Sequence, residues 1–126
     1  MNTSSAKAKG RRLAQRIAKK ILDTFKNLTE NDIFCNPGGV PGEDIKLSDR
    51  ARNIIPFSIE SKNVEKLNIW AALEQAESEN RKYKPLVVFS RNRSEDYCAL
   101  KFSDLMSLLE DIQKLSENQT QEDDGK

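Results

Sequence analysis

Among the 126 residues, Asp44, Glu60 and Lys62 have the types and spacing for hydrolytic chemistry on a phosphodiester. Carboxylate oxygens suit hard cations such as magnesium, which bind through a few protein oxygens and keep positions open for water and a phosphate oxygen. Glu60 and Lys62 stand two residues apart in NIIPFSIESK, where Ile55, Phe57 and Ile59 alternate with Ser58, Glu60 and Lys62. An extended strand places the acid and the lysine of such a pattern on one face and the apolar side chains on the other. Asp44 belongs to the preceding β-like run, EDIKLS, so two neighbouring strands can present two carboxylates together. The Ser61 backbone carbonyl offers a further oxygen ligand. A lysine just beyond the second carboxylate can orient the attacking water or neutralise charge developing on phosphorus.

Composition narrows the alternatives. The chain has no histidine, which removes Ser-His-Asp and Cys-His nucleophile pairs and zinc sites built on imidazole. Cys35 and Cys98 are too far apart for any metal-binding spacing and are expected as reduced strand residues. No apolar run approaches the roughly 20 residues that span a bilayer. The basic start MNTSSAKAKGRR lacks the apolar stretch of a secretory signal, so a cytoplasmic, membrane-free protein is expected.

These residues need a scaffold. Leu13, Ile17, Ile21, Phe25 and Leu28 recur at helical spacing and predict an amphipathic helix over residues 6–28. Short runs at 32–36, 43–48 and 53–62 then read as strands, with Pro56 arguing for an edge or a bulge at the start of the third. A helix over about 65–83 follows, closed by Pro85. PLVVFSR and DYCALK form two more strands, and Ser103 caps a last helix whose core face is Leu105, Leu108, Leu109, Ile112 and Leu115. The expectation is an α/β domain over 1–115, a central mixed sheet flanked by helices in the order α-β-β-β-α-β-β-α, with 116–126 as an acidic disordered tail.

Charge is segregated along the chain. Residues 1–26 hold eight basic residues against Asp23 alone, a net +7, whereas residues 110–126 net −4. A first helix with so few acids points to a polyanion, so Lys7, Lys9, Arg11, Arg12 and Arg16 are candidate phosphate contacts. Arg91 and Arg93, flanking a turn, join them.

With this context, GED at 42–44 and IESK at 59–62 resemble the PD-(D/E)xK nuclease superfamily, and within it the small Holliday junction resolvases of archaeal and phage type. The resemblance spans roughly residues 7–109. It implies a restriction-endonuclease-like core, with Asp44 and Glu60 as ligands of magnesium (manganese substituting) and Lys62 as the catalytic lysine. It also implies Gln75 on the following helix near the site, and Gly38 and Gly39 in a loop against DNA. The sequence departs from that pattern at Glu43, where proline is usual, and in the first helix, where residues 6–22 lack the metal-completing acid; Glu30 or Asp32 is the nearest substitute. The expected activity is endonucleolytic cleavage of branched DNA by a homodimer, with Trp70 and the outer face of 65–83 as the dimer seam. Cleavage of linear or nicked DNA and a non-catalytic DNA-binding module are the alternatives.

Overall fold

The computed structural model describes residues 3–37 and 42–124. Its core is a five-stranded mixed sheet, in chain order from one edge to the other. Helix α1 (Thr3–Thr24) leads into a 3-10 turn (Glu30–Asp32), then β1 (Ile33–Cys35), β2 (Ile45–Leu47), the short α2 (Asp49–Arg52), β3 (Phe57–Asn63), α3 (Ile69–Glu79), β4 (Lys84–Ser90), β5 (Tyr97–Leu100) and α4 (Phe102–Asp124). Strands β1, β2 and β3 are antiparallel, β3 and β4 are parallel with α3 as their crossover, and β5 returns antiparallel on β4. The sheet flanked by helices is the architecture expected from the hydrophobic pattern, with α2 as an addition.

Strand β3 is central, and its two faces do different work. Phe57 and Ile59 join Leu13, Ala14 and Ile17 of α1, together with Ile45, Leu47 and Ala51, in the main apolar cluster. Ser58 and Glu60 point the other way, toward α3, where Ala72, Ala76 and Val87 form a second cluster. Two alanines at helical spacing let α3 approach the sheet closely. The Ser58 hydroxyl then donates to the Ala76 carbonyl at 2.8 Å, satisfying one of the last carbonyls of the helix. Pro56 falls just before the strand, so it needs no edge position.

Several expectations give way to tertiary context. Helix α3 is shorter than 65–83 because Asn68 caps it, its side chain accepting from the Ala71 amide at 3.1 Å. Trp70, by contrast, keeps to the outer face of α3, 77% exposed. The residues 116–124, expected to be disordered, continue α4, and only Leu108 of the anticipated core face packs against the main cluster. Gly38 and Gly39 lie outside the described residues.

Arg52, which reads in sequence as a loop charge, is a core residue. Its guanidinium meets Glu43 at 2.6 Å, with both side chains about 5–6% exposed. It also donates to the Phe57 carbonyl at 2.9 Å and lies 4.3 Å over the Tyr83 ring. Asn80 donates to the same Glu43 oxygen at 2.9 Å. The network ties the entrance of β3 to the residue preceding Asp44. Removing one partner of a buried ion pair leaves the other charge uncompensated, so Arg52→Ala is expected to lose about 3–5 kcal/mol in urea unfolding. A loss below 1 kcal/mol, on the order of a surface pair, would contradict this account.

Candidate functional site

Asp44 and Glu60 come together because of strand register. Ile45 pairs with Ile59 across β2 and β3, and continuing that antiparallel register by one residue sets Asp44 beside Glu60. Pairing stops there, and the Asp44 carboxylate folds over the edge of β3 to accept from the Ser61 amide at 2.8 Å and the Ser61 hydroxyl at 3.3 Å. In an extended strand the N–H and C=O of one residue project to the same edge. The Ser61 carbonyl therefore points to the gap where Asp44 lies, on the side where β2 has ended.

Glu60 is the unusual member. It is 1% exposed, beside Val87 on β4 and facing α3. Its Oε2 has no hydrogen-bond partner, an expensive state for a buried carboxylate. Burial is the main force that drives its pKa up to about 9; the proton-mediated contact with Asp44 and the Asp44 charge add to it, Lys62 opposes, and Glu79 contributes a little more. The protein thus holds Glu60 as a neutral acid in the absence of a cation. Lys62 follows on the same face, half-buried near the strand end.

The donor set fits a hard cation in part. An orphaned carboxylate oxygen, a second carboxylate and an exposed-edge carbonyl are the ligand types magnesium takes. Among the described residues no group of three Asp, Glu or Cys side chains converges, so a cation here would take two protein carboxylates and would need the carbonyl and water for the rest. Asp32 does not complete the set. Its carboxylate is held by Arg50 at 2.6 Å, by the Ser48 hydroxyl at 2.7 Å and by the Thr29 amide at 2.8 Å, contacts that keep it ionised far below the usual carboxylate range. Glu30 is exposed on the 3-10 turn, and Gln75 is exposed on α3, one residue before the buried Ala76.

The candidate phosphate contacts gather elsewhere, at the carboxyl ends of the parallel pair β3 and β4. A cleft of about 250 Å³ there is lined by Lys9, Arg12 and Arg16 from α1, by Asn63 at the end of β3, and by Ser90, Arg91 and Arg93 around the β4–β5 turn. Residues some 80 positions apart thus share one basic concavity. Asn63 follows Glu60 by three strand residues, roughly 10 Å. Arg16 is partly neutralised by Asp96, which it grips through two bonds at 2.9 and 3.2 Å, each group strengthening the other's charged form. Lys9, Arg12, Arg91 and Arg93 have no ion pair among the described residues. Lys7 and Arg11 are exposed on α1 outside the cleft lining. Arg93 has φ of 62°, a left-handed backbone that costs a non-glycine residue roughly 1 kcal/mol. The Ser94 hydroxyl steadies this turn by accepting from the Arg91 amide at 3.1 Å.

The raised Glu60 pKa makes a stability prediction with a definite sign. The folded state keeps a proton that the unfolded chain releases near pH 4.5, so the stability present below that pH is lost as pH rises toward about 9. Thermal melts of Glu60→Gln are expected to flatten this slope and to exceed wild type near pH 8, and millimolar magnesium is expected to raise Tm of wild type only. Equal slopes in the two proteins would contradict the buried acid. Compared with protein-family models, curated proteins and solved structures, the chain finds no match, so the reading of this site rests on its own residues.

Proposed function

We propose that this protein is a magnesium-dependent endonuclease that hydrolyses DNA phosphodiesters, acting on branched DNA. The observation that carries the proposal is a buried carboxylate with one oxygen unpartnered, in contact with a second carboxylate, a few residues from a basic cleft. A structural acid of this fold is treated differently, since Asp32 and Glu43 each have an arginine. Glu60 has none; Glu43 also leaves one oxygen without a hydrogen bond, but Arg52 offsets its charge, so Glu60 is the buried acid without an arginine, which marks it as a functional candidate.

In this reading Asp44, Glu60 and the Ser61 carbonyl would hold the cation, which would supply a more acidic water and a polarised phosphate. Hydrolysis would join the water oxygen to phosphorus, break the P–O bond to one sugar, and leave one of the water's protons on the released sugar hydroxyl. Lys62, on the Glu60 face, holds the water or offsets the negative charge that grows on the phosphate oxygens. Lys9, Arg12, Arg91 and Arg93 position the backbone of the DNA without reading its sequence. Manganese replaces magnesium in the same oxygen set. Cutting a four-way junction twice requires two copies of this site, hence a homodimer. A second reading, a structure-specific DNA-binding module without catalysis, is favoured by the absence of a third acidic ligand among the described residues.

One assay separates the two. Labelled four-way junction, flap, nicked and linear duplexes are incubated with magnesium or chelator. Cleavage is expected with magnesium only, fastest on the junction, and abolished in Asp44→Asn, Glu60→Gln and Lys62→Ala while binding persists. Junction binding without cutting supports the binding module, and a Glu60→Gln protein that cuts at the wild-type rate rejects the site. A salt titration tests the cleft: neutralising Arg12, Arg91 and Arg93 should flatten log affinity against log salt by about 0.9 for each phosphate that the protein no longer neutralises. An unchanged slope would remove the cleft from the interface.

A further inference from the structure

Helix α4 carries a large apolar surface that the fold does not use. Phe102, Leu105, Met106, Leu109, Ile112 and Leu115 are between 37% and 74% exposed. At 100° per residue, Phe102, Leu105, Leu109 and Ile112 form one stripe with Met106 on its flank, while Leu108 turns to the body of the domain and Leu115, two turns on, points within about 20° of the same direction. The exposed area of these six side chains is on the order of 600 Å², against the roughly 800 Å² per partner of a stable interface. A helix of 23 residues extends roughly 34 Å, and most of a surface helix's stability comes from packing its apolar face.

We propose that this face is the docking surface for a second copy of the chain, with the two α4 helices antiparallel about a twofold axis. Charge selects both the occupant and the direction. The apolar residues end at Leu115, and residues 116–124 contain Glu117, Glu122, Asp123 and Asp124 with no basic residue. The other end of α4 holds more base than acid: Lys101, which precedes the helix, pairs with Glu77 at 2.7 Å, Lys84 lies 4.0 Å from Asp104 in the first turn, and Arg81 and Lys82 in the turn before β4 add two further positive charges. A parallel pair would stack two acidic ends side by side. An antiparallel pair centred between Leu108 and Leu109 sets Leu105 of one copy near Ile112 of the other, with Leu109 of both at the centre. Each acidic end then runs past the basic end of its neighbour, where the positive pole of the helix dipole also lies. The surface thus complements itself, as a twofold interface must.

The proposal gives the two-site nuclease reading an interface but stands on α4 alone, and mass and cutting are read separately. Light scattering at micromolar concentration is expected to give twice the 14.3 kDa chain mass. Leu109→Asp/Ile112→Asp, at positions already half-exposed, is expected to give the chain mass with the circular-dichroism spectrum of a folded domain and a lower Tm, and Glu60→Gln to remain dimeric although inactive. For direction, Gln119→Cys in a Cys35→Ser/Cys98→Ser background places the new thiols roughly 30 Å apart in an antiparallel pair, so oxidation should not join them. A wild-type monomer, a dimer indifferent to the α4 substitutions, or rapid disulfide trapping through position 119 would each overturn the proposal.

Discussion

A carboxylic acid withdrawn from water must find donors, find a counter-charge, or give up its ionisation. Glu60 does the last. Its place is fixed from both sides, since β3 is the central strand, in register with β4 for seven residues and covered by α3 through the small side chains of Ala72 and Ala76. A side chain there cannot swing to solvent without taking the strand along. The free energy of packing the sheet and its helices therefore maintains a neutral acid with one oxygen unpartnered, and the gap beside it is reached through Asp44 and the free edge of Ser61.

The two other buried acids show that this is a local choice. Asp32 is ringed by Arg50, Ser48 and Thr29, and Glu43 by Arg52 and Asn80. Both are knots that join loops to the sheet, and the second fixes the backbone immediately before Asp44. These charge-compensated acids thus serve the uncompensated one, although Glu43 also leaves its Oε2 without a hydrogen bond. They hold the ends of β2 and β3 so that Asp44 meets the Ser61 amide while Glu60 stays apart from any arginine.

Charge is distributed on a larger scale by the same topology. Helix α1 covers one face of the sheet with Leu13 and Ile17 and leaves its basic side beside the β4–β5 turn, making a cleft at the carboxyl ends of the parallel strands. No helix among the described residues is long and apolar enough to cross a membrane, and the apolar stripe of α4 alternates with charged positions as a protein-facing helix does.

Much of this was legible in the sequence, and for a physical reason. Period-two alternation in IPFSIESK and the helical recurrence of Leu13, Ile17 and Ile21 report burial directly, because one face of each element must leave water. Those patterns placed β3, α1 and the shared face of Glu60 and Lys62. Elements whose fate depends on a partner distant in sequence were not legible. Arg52 looks like a loop charge until Glu43 and Tyr83 close around it, and Asp32 is a free acid until Arg50 and Ser48 bind it. The apolar face of α4 has the spacing of a core helix, yet the chain turns after β5 so that Leu108 alone reaches the main cluster. Sequence determines which side chains must be hidden; only the tertiary arrangement decides what hides them, because that depends on contacts no local pattern encodes.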